Sequence, residues 1–88
     1  IKVFEMLSFY DFCLLPDDEQ SDFILENGQF LCSIDQQDNK IGLFYLFDFY
    51  VEVYYNYTCR ALVKIHPFRD LNNLTPFLEA IELPHLVN

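Results

Sequence analysis

Residues 41–68, IGLFYLFDFYVEVYYNYTCRALVKIHPF, decide the fold. The odd positions at the start of this run, Ile41, Leu43, Tyr45, Phe47, Phe49, Val51, Val53, Tyr55 and Tyr57, are all apolar or aromatic. Alternation of this kind marks β structure. Strands cluster near five or six residues, so so long a run predicts two strands, over 41–46 and 49–56, joined by a tight turn at Phe47-Asp48. That turn sets Leu46 beside Phe49 and Phe44 beside Val51. A second hairpin follows, with Tyr57, Thr58 and Cys59 as its loop. A three-residue loop pairs Val53 with Val63, Val51 with Ile65, and Glu52 with Lys64. Loops of two or four residues would mix the faces, since one step of register carries every side chain across the sheet.

Working back toward the N-terminus, residues 29–35, QFLCSID, alternate after Gly28 and precede the polar run QQDNK at 36–40. They read as a first strand and a five-residue loop, with Cys32 opposite Phe44 and Phe30 opposite Leu46. The helix before them is predicted over about residues 18–27. Asp17 and Gln20 have the spacing of a capping box, Asp18 and Glu19 bring negative charge to the first turn, and Gly28 suits a left-handed stop. Its inward residues are Phe23, Ile24 and Leu25. Pro16 restricts Leu15 and marks the boundary in front of it. Val3, Phe4, Leu7 and Tyr10 recur at helical spacing and predict a short helix over residues 3–11, with an extended core-crossing segment as the competing reading. Beyond the sheet, Asp70 caps a turn through Asn73. Thr75 and Pro76 then suit the N-cap and first position of a helix whose inward stripe is Leu74, Phe77, Leu78 and Ile81.

The expected architecture is α+β in a single domain over residues 1–88. A four-stranded antiparallel meander carries helices on one face, in the order α-α-β-β-β-β-α. The helix-covered face is expected to hold Phe30, Cys32, Ile34, Phe44, Leu46, Phe49, Val51, Val53, Tyr55, Ala61, Val63 and Ile65. The opposite face is then too apolar for simple exposure to water, with Leu31, Leu43, Tyr45, Tyr50, Glu52, Tyr54, Leu62, Lys64 and His66 on it. Large apolar patches of that kind mark interfaces.

The 88 residues carry 14 acids against five Lys and Arg, a formal net charge of −9. This field disfavours a nucleic-acid backbone and suits solubility or a basic partner. Tyrosines on a four-stranded sheet can stack bases, but Arg60, Lys64 and Arg69 are too few to offset the negative field. The acidic start of the helix lacks the ordered ligands and central glycine of a calcium loop. Cys13, Cys32 and Cys59 are odd in number and form no metal-type spacing, which suits free thiols in a reducing, cytoplasmic setting. The sequence has no apolar run of membrane-spanning length, no nucleophile elbow, no phosphate loop and no dinucleotide fingerprint. Neither cofactor nor metal is expected.

The expected function is therefore that of a small non-enzymatic domain that binds a protein partner or itself as a homodimer. The candidate interface is Tyr45, Tyr50, Glu52, Tyr54, Leu62, Lys64 and His66. Two alternatives accompany it: an acidic immunity-type inhibitor or decoy that binds a basic protein, and a minimal hydrolase with Cys59 or His66 at the sheet edge.

Overall fold

The computed structural model describes residues 7–80. Two α-helices, α1 (Phe9–Cys13) and α2 (Asp17–Asn27), precede four strands, β1 (Gln29–Gln36), β2 (Asn39–Leu46), β3 (Phe49–Asn56) and β4 (Ala61–Phe68). A 3-10 segment, Leu71–Phe77, follows them. The strands form an antiparallel meander in the order β1-β2-β3-β4, so β2 and β3 are central while β1 and β4 are edges.

The expected central hairpin is present. Leu46 pairs with Phe49 and Phe44 with Val51, around the two-residue turn Phe47-Asp48. Phe47 has φ of 58°, the left-handed backbone that two-residue hairpin turns need at their first central residue.

Both outer hairpins depart from expectation, and each departure is repaired by a bulge. The β1–β2 loop is the two-residue turn Gln37-Asp38, not the five residues 36–40, and Gln37 has φ of 58°. Cys32 therefore lies opposite Leu43 and Ile34 opposite Ile41, which moves Cys32 and Ile34 off the face carrying Phe44 and Leu46. A bulge at Leu31 shifts the register back, leaving Phe30 opposite Phe44 with ring centroids 5.5 Å apart.

The β3–β4 loop has four residues, Tyr57 to Arg60. Asn56 holds it, its Oδ1 accepting the backbone N–H groups of Thr58 and Cys59 at 3.0 and 2.9 Å. Carried along β4 unchanged, that loop would aim Lys64 and His66 at the helices and Ile65 away from them. The extra residue Val63 restores the parity, so Val53 faces Ile65 and Glu52 faces His66, while Tyr54 faces Lys64. The expected pairs Val53–Val63, Val51–Ile65 and Glu52–Lys64 are thus displaced by two residues. Val63 and Ala61 drop out of the helix-covered face, and Leu62, opposite Tyr55, joins it. Bulges on edge strands also interrupt the ladder that another chain would extend, and Pro67 on β4 acts in the same way.

Both α-helices pack on one face. Phe12 and Ile24 meet Leu46, Phe49 and Val51 there, with Phe23 set against Phe47. Ser8 caps α1, its hydroxyl oxygen accepting the Asp11 N–H at 3.1 Å. The helix expected over residues 3–11 falls in part outside the described residues. Arg69, just beyond β4, lies over the rings of Phe9 and Tyr10 at 4.7 and 4.9 Å and donates to the Tyr10 hydroxyl, tying α1 to the sheet.

The expected capping box of α2 does not form. Pro16 is the N-cap, Asp17 lies within the first turn, and the Gln20 side chain is buried and donates to the Phe12 carbonyl at 2.9 Å. That bond serves the α1–α2 junction. Gly28 has φ of −79°, so it is not a left-handed stop. Its reason is space, since a Cβ there would stand 2.7 Å from the Ile24 carbonyl oxygen.

The 3-10 segment lies across the opposite face. Asp70 caps it as expected, accepting the Asn72 N–H at 3.0 Å, but Thr75 starts no new α-helix within the described residues. Phe77 is fully buried against Cys32, Ile41, Leu43 and Phe68. Leu78 is exposed, and Ile81 lies outside the described residues.

Phe49 is fully buried at the junction of α1 and the central hairpin, whereas Phe30 on the β1 edge is 56% exposed. Phe49→Ala is expected to lower the unfolding free energy by about 3–5 kcal/mol, and Phe30→Ala by less than about 1.5 kcal/mol. Urea denaturation followed by circular dichroism measures both, and equal losses would contradict this placement of the core.

Candidate functional site

The candidate interface residues do not form one exposed patch. Glu52 is 9% exposed at the centre of the face opposite the α-helices. A buried carboxylate needs donors, and two are present. His66 Nδ1 lies 2.8 Å from Glu52 Oε1, and the Tyr54 hydroxyl donates to the same oxygen at 3.3 Å. Burial pushes the Tyr54 hydroxyl above its ordinary pKa, and the Glu52 charge and hydrogen bond push the same way.

Tyr50 and Tyr54 are half-buried and pack with Leu74 of the 3-10 segment into the Phe77 cluster. Tyr50 also stacks on Phe68, with centroids 5.7 Å apart. Tyr45 is 37% exposed and tilts against Tyr50. Lys64 is exposed and sits over the Tyr54 ring at 5.1 Å. Leu62 belongs to the other face, as the four-residue β3–β4 loop requires. The apolar character of this face is thus largely accounted for by its covering of chain from Leu71–Phe77, not by an open surface.

The cysteine and histidine of the hydrolase alternative stand apart. Cys59 is exposed in the β3–β4 loop, and His66 lies four ladder steps along the sheet from the loop's end at Ala61, about 13 Å at the usual rise. His66 is engaged by Glu52. Cys32 is buried, and burial pushes its thiol above the ordinary pKa, which holds it in the less reactive thiol form. Among the described residues, no group of three or more His, Cys, Asp or Glu side chains is arranged to hold a metal ion. No described helix is long and apolar enough to cross a membrane.

The α-helical face has a different character. Its strands of eight residues are each about 26 Å long, whereas α2, with 11 residues, spans about 16 Å and α1 only about 7 Å. The helices leave part of the sheet open beside α2. There an apolar groove of about 200 Å³ is walled by Ile24 and Leu25 of α2 and floored by Phe44, Val53, Leu62 and Ile65, with Ser21 its single polar lining residue. Leu25 is 77% exposed and Leu62 48%.

The groove is not legible in the sequence, whose alternation and helical spacing predict Leu25 inward and Leu62 on the opposite face. The available signal was Asn56 at the start of the loop. An Asn that can accept successive backbone N–H groups favours a longer turn, and a four-residue loop carries Leu62 to this side.

Glu52→Ala removes the acceptor of both Tyr54 and His66 from a buried position. It is expected to cost less than about 1.5 kcal/mol, because the donors left behind are only partly buried, the His66 ring being 43% exposed, whereas His66→Ala leaves the buried carboxylate with only the longer Tyr54 bond and is expected to cost about 1–3 kcal/mol. Chemical denaturation of the two variants checks the order, and a larger loss from Glu52→Ala would contradict it.

No family model matches the chain, and comparison with curated proteins and with solved structures finds no match.

Proposed function

We propose that this chain is a non-enzymatic interaction domain that receives a segment of a protein partner in the groove between α2 and β4. The observation carrying this reading is the pair of exposed leucines on either side of one concave apolar surface, Leu25 at 77% and Leu62 at 48%. Isolated exposed leucines are ordinary on protein surfaces; contiguous concave apolar area is the feature associated with binding. The lining supports docking over catalysis, because Ser21 is its one polar side chain and no acid or base lines it. Cys13 and Cys59 are exposed free thiols, which supports a reducing compartment such as the cytoplasm as its place of action.

Photo-crosslinking from a benzophenone side chain at position 25 or 62, in the cells that make the protein, tests the reading. The same partner should be captured from both positions and not from position 45 on the other face. Purified, that partner should bind at least about tenfold more weakly to a Leu25→Ser, Leu62→Ser double variant, since each leucine contributes apolar burial. Capture from position 45 alone, or affinity unchanged in the double variant, would overturn the groove as the binding surface.

A further inference from the structure

We infer that the groove's partner is an amphipathic helix that carries lysine or arginine along the flank of its apolar stripe. This rests on the reading of the groove as a docking surface and names the chemistry that would fill it. α2 carries Asp17, Asp18, Glu19, Asp22 and Glu26 and no basic residue. Asp18, Ser21, Asp22 and Leu25 have the i, i+3, i+4, i+7 spacing of neighbours on one side of a helix. Ser21 and Leu25 line the groove, so Asp18 and Asp22 stand on its solvent side as an acidic rim. Both are exposed, and among the described residues neither is paired with a cation. An apolar floor with a rim of one charge complements an apolar stripe flanked by the opposite charge.

The edge strand argues for a helix over an added strand. The Val63 bulge breaks the regular β4 ladder, and Pro67 lacks a backbone N–H. A second copy of the chain is the poorer occupant. Each copy carries −9, and its own helix α2 would bring carboxylates to the Asp18 and Asp22 rim.

The test uses two labelled peptides of about 14 residues, four helical turns, with the same leucine stripe and either lysine or glutamate on the polar face. Fluorescence anisotropy at low salt reads their binding to the whole chain. The lysine peptide is expected to bind at least about tenfold tighter than the glutamate peptide. Asp18→Asn with Asp22→Asn should reduce that preference about 2- to 30-fold, the range for two exposed ion pairs. Asp11→Asn with Asp48→Asn makes the same charge change at α1 and the β2–β3 turn, and should reduce it less than twofold.

Equal affinity for both peptides, or equal effects of the two Asn pairs, would overturn the basic-partner inference. If both peptides nevertheless lose binding in Leu25→Ser, Leu62→Ser, the docking surface stands and only its charge preference is wrong. Binding indifferent to the leucine substitutions would overturn both. Binding of neither peptide, together with self-association in sedimentation that the leucine substitutions abolish, would identify a second copy as the occupant and overturn the inference.

Discussion

Strand β3 is apolar on both faces, and its neighbours have to match it. It sends Phe49, Val51 and Val53 toward the α-helices and Tyr50, Glu52 and Tyr54 the opposite way. Any slip of a neighbouring strand by one residue would exchange these sets. The central hairpin satisfies the constraint through a two-residue turn with no irregularity. The outer strands satisfy it by inserting one residue each, Leu31 in β1 and Val63 in β4. Without the second insertion, Lys64 and His66 would enter the apolar layer under the helices, at a desolvation cost of several kcal/mol for a charged group.

The insertions also determine what each face can do. On the face opposite the α-helices, His66 arrives beside Glu52, and the carboxylate is satisfied there by two donors. The chain from Leu71–Phe77 covers the aromatic area beside it, burying Phe77 completely. On the helical face, the four-residue loop delivers Leu62 beside Val53, and the insertion keeps Ile65 next to them, in the groove that α2 walls. One face closes over a polar pair, while the other keeps an open apolar groove beside a run of acidic residues.

The legible parts of the fold were those governed by strong alternation. The turn at Phe47-Asp48, the pairing of Leu46 with Phe49, and the meander order follow from the spacing of large apolar residues in 41–57. The outer registers were not legible, because their determinants are conformations that carry little sequence signal. Gln37 and Arg60 adopt positive φ, where glycine or asparagine would have announced a turn, and neither bulge has a glycine to mark it. The candidate site suffered in proportion. Tyr45, Tyr50, Glu52, Tyr54, Lys64 and His66 lie on the face that the alternation predicts, but no spacing in the sequence announces its covering by Leu71–Phe77. Leu62, turned by the four-residue β3–β4 loop, lies on the opposite face from the one its alternation predicts.

The register of the two outer hairpins is the central claim, since the Glu52–His66 pair and the Leu62 groove both depend on it. Cross-strand nuclear Overhauser effects in the isotopically labelled protein measure it directly. The expected contacts link Cys32 with Leu43, Val53 with Ile65 and Glu52 with His66. Contacts of Cys32 with Phe44, Val53 with Val63 and Glu52 with Lys64 in their place would contradict it.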